Sequence, residues 1–68
     1  MEIVMSLHAL EQARERGVSI NEIKETIRYG TKYLQNEKIV AMYRHIKIVF
    51  KKSKDKFFII TIMIRNGK

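Results

Sequence analysis

The segment HALEQARERG, residues 8 to 17, carries His8, Gln12 and Arg16 four residues apart. A helix turns by about 100° per residue, so the three side chains form one row along its surface. Histidine is the side chain that exchanges protons near neutral pH, and the arginine fork matches the oxygens of a phosphate. The row therefore has the parts of a proton-transferring or anion-binding strip. Leu7, Leu10 and Ala13 point elsewhere and form the expected core face, with Ala9 between the two faces. This places the row at the half-wet edge of the helix, where ordinary boundary residues also sit.

The elements that must position this strip are legible from capping and periodicity. Ser6 is an N-cap for a helix over residues 7 to 16, and Gly17 stands where a left-handed stop residue belongs. Ser19 with Glu22 forms a capping box, and Val18 with Ile23 the matching hydrophobic staple. They open a second helix from Ile20 to Tyr29 that stops at Gly30, with Ile20, Ile23 and Ile27 as its buried stripe. After Gly30 the period shortens. TKYLQ, KIVAMYR, HIKIVFKK and KFFIITIMIR read as strands separated at Asn36-Glu37 and at Ser53-Lys54-Asp55. The boundary at Tyr43-Arg44-His45 has no Gly or Pro to mark it. The expected fold is α+β, a single domain over residues 1–68 with two N-terminal helices on one face of a three- to four-stranded antiparallel sheet.

An odd loop from Ser53 to Asp55 would set Phe50 against Phe58, Ile48 against Ile60 and Ile46 against Ile62. The other face would then hold Val49, Phe57, Ile59 and Met63 among Lys47, Lys51 and Arg65. Two short helices cover one face of such a sheet, so this second face implies a partner: a second copy, a protein inhibitor or a stacked RNA base.

Composition narrows the function classes. The chain has 68 residues and no cysteine, which excludes disulfides, a thiol nucleophile and thiolate metal sites. Its start, MEIVMSLHAL, lacks the basic and long apolar regions of a signal peptide. Its longest apolar run, FFIITIMI, is far shorter than the roughly 20 residues of a membrane-spanning helix. A cytoplasmic protein without membrane association is expected. The net charge of +7 is uneven: residues 1 to 30 carry −1 and residues 31 to 68 carry +8. A domain this basic points first to a polyanionic partner, with nucleic acid leading, although a lysine-rich solubilising surface gives the same count. The glycines are scattered and form no nucleotide-binding loop, and the aromatic motif of RNA-recognition modules is missing. Neither His8 nor His45 has an obvious carboxylate ligand beside it, so no metal and no cofactor is expected.

The same stretches, HALEQARERG with VSINEIKETIRYG, IKIVFKK and FFIITIMIR, resemble a prokaryotic domain-of-unknown-function family of the DUF4258 type. Its marks are a helix of the form HAxxRxxxRGIS and a late strand of the form xIIT. His8, Ala9, Arg16, Gly17, Ser19 and Thr61 occupy pattern positions, whereas Gln12 replaces the middle arginine. Arg14 lies on the far side of the apolar stripe and does not repair that change. The family is similar to RelE-type toxins and other small metal-independent ribonucleases. The resemblance implies RNA cleavage or descent from an RNA-cleaving fold, and an antitoxin-like inhibitor as partner.

Metal-free RNA cleavage uses a base for the 2′-OH proton, an acid for the leaving oxygen and cations for the charged phosphorane. The catalytic candidates are then His8, Arg16 and Thr61, and the nucleic-acid-binding candidates are Arg16, Lys47, Lys51 and Arg65. Each has a plainer reading. His8 is a boundary residue, Arg16 complements the helix dipole, Thr61 is an ordinary strand residue, and the lysines up to Lys56 coat a solvated hairpin. The leading expectation is a toxin-like, metal-independent endoribonuclease. The alternative is a non-catalytic nucleic-acid- or protein-binding domain on the same scaffold, which the substitution at Gln12 favours.

Overall fold

Both helices begin and end at the capping residues. In the computed structural model, which describes residues 1–65, α1 (Leu7–Arg16) starts at Ser6, whose hydroxyl accepts from the Ala9 N–H at 3.0 Å. It stops at Gly17, whose φ of 67° is the left-handed conformation that suits glycine. The second helix, α2 (Ile20–Tyr29), opens on the full capping box: the Ser19 N–H donates to Glu22 at 2.9 Å and the Glu22 N–H to Ser19 at 3.1 Å. Gly30 ends it in an extended conformation, with its N–H donating to the Thr26 carbonyl. Asn66, Gly67 and Lys68 lie outside the described residues.

The strands are β1 (Glu2–Met5), β2 (Thr31–Gln35), β3 (Lys38–Tyr43), β4 (Ile46–Ser53) and β5 (Lys56–Ile64), in the spatial order β1-β5-β4-β3-β2. The fold is α+β as expected, but the sheet has five strands and is mixed, because β1 pairs parallel with β5. Four residues, EIVM, carry too little period to read as a strand. Their partner lies at the other end of the chain. The turns between the remaining strands work without glycine. Asn36 and Glu37 both take positive φ, 53° and 64°, as a two-residue type I′ hairpin requires. Arg44 at 57° and Lys54 at 56° take positive φ singly, so the chain turns after Tyr43 although no glycine marks that boundary.

The β4–β5 register differs from the expected one. The loop has two residues, with Ser53 opposite Lys56, and a bulge lies where Val49 faces Thr61 but Phe50 faces Ile59. Beyond it, Ile48 faces Ile62 and Ile46 faces Ile64, not Ile60 and Ile62. The extra residue shifts the phase of β5 midway, so that Phe57 and Ile59 before it and Ile62 and Ile64 after it all serve the helix-side core. Phe57 and Ile59 therefore do not belong to the far face. That face keeps Val49 and Met63 and gains Phe58, which is 44% exposed.

Both helices pack on the core made by Ile46, Ile48, Phe50, Ile59 and Ile62. The face of α1 that meets this core is Ala9 and Ala13, while Leu7 is 76% exposed. Small alanines let the helix approach β5 closely, which a leucine face would prevent. In α2 the buried residues are Ile23, Thr26 and Ile27, and Ile20 is exposed. Burying Thr26 leaves no unpaired hydroxyl, since its Oγ1 donates to the Glu22 carbonyl at 2.8 Å.

Candidate nucleic-acid interface

The bulge and the end of β1 together determine what the α1 row does. β1 pairs with β5 only as far as Ile59, so the rest of β5 is a sheet edge. Ser6 takes two successive carbonyls there: its N–H donates to Ile59 O at 3.0 Å and its hydroxyl to Ile60 O at 3.2 Å. Six residues further along the chain, the Gln12 side chain accepts from the Ile62 N–H at 2.9 Å. Gln12 thus stands in for the missing neighbour strand and pins α1 along the edge.

His8 and Arg16 flank this anchor in the same row, and both are exposed. Eight residues of helix separate them by about 12 Å along the axis. Arg16 pairs with Glu15 at 3.8 Å. No hydrogen bond or ion pair joins His8 to Arg16 or to Thr61 among the described residues.

Thr61 lies on the opposite side of β5, on the face away from the helices, where it sits half-buried opposite Val49. Lys47 is opposite Met63 on the same face and so is a diagonal neighbour of Thr61, and Lys51 is opposite Phe58. Arg65 follows the end of β5, with its N–H donating to His45 O at 2.7 Å. Apart from Arg65 at the end of β5, the expected residues divide into two groups. Thr61, Lys47 and Lys51 share the far face of the sheet, and His8 and Arg16 ride on the helix at its edge.

A third group was not among the expected residues. On the helix side, beside the last turn of α2, a cavity of about 320 Å³ is lined by Met1, Ile27, Ile39, Phe50 and Phe57 and bordered by Arg28, Lys32 and Lys52. Its one sequence signal was Lys52, two residues after Phe50 and hence on the same face of β4. Lys51 and Lys52 thus serve opposite faces of the sheet.

Among the described residues no three metal-ligating side chains cluster, and no helix is long and apolar enough to cross a membrane. These features define a small α+β domain with a cationic sheet and a helix-guarded edge. The chain belongs to the family described as "Domain of unknown function (DUF4258)", whose model matches residues 5–64. No curated protein and no solved structure matches it.

Proposed function

We propose that the domain binds single-stranded RNA. One observation carries this reading: the lysines and arginines of the sheet half, from Lys32 to Arg65, form no ion pair with a described carboxylate. The ion pairs among the described residues are Met1 with Asp55 and Glu15 with Arg16. Cations without carboxylate partners are the electrostatic footprint of a phosphate backbone, whose counterions they release on binding. Fluorescence anisotropy of a labelled single-stranded RNA tests it. Affinity should fall steeply and log-linearly with salt, and Lys47→Ala with Lys51→Ala should flatten the slope. Equal affinity at low and high salt, or no binding at low salt, sinks the proposal.

A second reading is RNA cleavage without a metal, of the kind carried out by RelE-type toxins. The pinned edge row favours it: Gln12 holds α1 so that His8 and Arg16 project outward along the open part of β5. In this reading His8 transfers protons and Arg16 holds phosphate, with Thr61 across the edge strand. Purified protein should then cut single-stranded RNA in EDTA and leave a 2′,3′-cyclic phosphate. His8→Ala should slow this by about 10²- to 10⁴-fold with folding intact. Cleavage that survives His8→Ala removes the histidine from the reaction. A protein inhibitor or a second copy would seat on the far face, where Val49, Met63 and Phe58 have no helix over them.

A further inference from the structure

Ten-residue helices span about 15 Å each, whereas strands of eight and nine residues run to nearly twice that. The helix-side face of the sheet is consequently left open toward the β4–β5 turn, and the cavity lies in that opening. Its volume, about 320 Å³, suits one small planar group and its attachments. The Phe50 and Phe57 rings meet there at 5.8 Å with a tilt of 49°, Phe50 fully buried and Phe57 half-buried. Phe57 is thus the ring that a ligand can reach.

Three of the elements that line the cavity each contribute a cation, beside the apolar Met1 and Ile27. Arg28 comes from α2, Lys32 from β2 and Lys52 from β4, and no described carboxylate lines the cavity. Lys32 is held at the mouth by donating to the Gly30 carbonyl at 2.9 Å. The Lys52 ammonium lies 5.6 Å from the centre of the Phe57 ring. The half-buried Phe57 ring accepts the face of another planar ring once the flexible, exposed Lys52 chain swings from it to an anion. Three separated cations call for more than one anion. A lone carboxylate would leave two of them uncompensated, whereas a nucleotide inside a strand brings a phosphate on each side of its base.

Resting on the RNA reading above, we propose that this cavity takes an unpaired base of single-stranded RNA against Phe57, with the flanking phosphates on Arg28, Lys32 and Lys52. This surface is separate from the far-face lysines. Duplex RNA keeps its bases stacked and paired, so it cannot use the cavity. The site therefore makes the domain selective for single strands.

The test uses the full chain and a short oligouridylate carrying one 2-aminopurine. Its emission should change on binding as the base leaves water for the Phe57 ring. Phe57→Leu should weaken single-strand affinity by about tenfold, within the usual worth of one stacked base, and leave affinity for a duplex of equal length unchanged. Because Phe57 also touches the core, Arg28→Gln and Lys52→Gln provide arms at polar rim positions. Each should weaken single-strand binding several-fold and reduce the emission change. Unchanged emission and unchanged affinity in all three variants, alongside weakening by Lys47→Ala and Lys51→Ala, overturns the cavity assignment and leaves the RNA reading standing. Uridine monophosphate binding as tightly as the oligonucleotide overturns the assignment to a strand. No binding of any RNA at low salt overturns both.

Discussion

Replacing Gln12 should loosen α1 from the sheet, and the size of the effect follows from one hydrogen bond. The Gln12 side chain is the partner of the Ile62 N–H, at 2.9 Å, in a part-buried setting. Gln12→Ala leaves that donor without its acceptor. A buried, unsatisfied backbone N–H costs about 1–3 kcal/mol, and partial access to water puts this one near the lower end, at about 1–1.5 kcal/mol. For a domain of this size each kcal/mol moves Tm by roughly 4–8 °C, so the midpoint should fall by about 5–10 °C. Gln12→Glu keeps an acceptor and should stay within about 0.5 kcal/mol of the parent. Gln12→Arg offers only donors to an N–H and should destabilise by about as much as alanine. The assay is thermal unfolding by circular dichroism with amide exchange read at Ile62. An unchanged midpoint together with unchanged Ile62 exchange in Gln12→Ala would refute the anchoring role, as would a more stable Gln12→Arg.

Other substitutions follow from backbone geometry. Gly30→Ala should abolish or nearly abolish folding, because a Cβ there would lie 2.7 Å from the Met42 carbonyl oxygen and closer still to that of Thr26. Gly17→Ala meets no atom within 4 Å and should lose only about 1 kcal/mol, from its left-handed φ; equal losses at the two glycines would contradict this. Glu37→Gly should raise stability by about 0.5–1 kcal/mol in denaturant unfolding, since it relieves a side chain held at φ 64° in a type I′ turn. Ser6→Ala should lower stability by about 1–2 kcal/mol, the worth of a cap, with faster exchange of the Ala9 amide; a neutral result would remove the cap from the account.

The helix limits were legible because Ser6, Gly17, Ser19 and Glu22 act through neighbours three or four residues away. Most strand limits were legible from β-branched and aromatic runs between polar breaks, and the two-residue alternation of β4 placed Lys47 and Lys51 on the far face. What sequence alone did not reveal depends on distant partners. β1 exists only because β5 lies beside it. The bulge between Phe50 and Val49 answers to the spacing of Phe57, Ile59, Ile62 and Ile64 against a core that the sequence does not display. In α1 the leucines outweigh the alanines by hydropathy, but close approach to β5 selects Ala9 and Ala13. Gln12 looked like a departure from a pattern of arginines, and its bond to Ile62 could not be read until the end of β1 left that edge open. The cavity lies further still from the sequence, since it is the part of a face that two short helices do not reach.

The most direct test of RNA binding by the sheet is an NMR titration of the isotope-labelled domain with single-stranded RNA at low salt. Amide shifts should concentrate in β3, β4 and β5, and around Arg28 and Lys32, all reversed by added salt. Shifts confined to α1, or none at saturating RNA, would contradict RNA binding by the sheet.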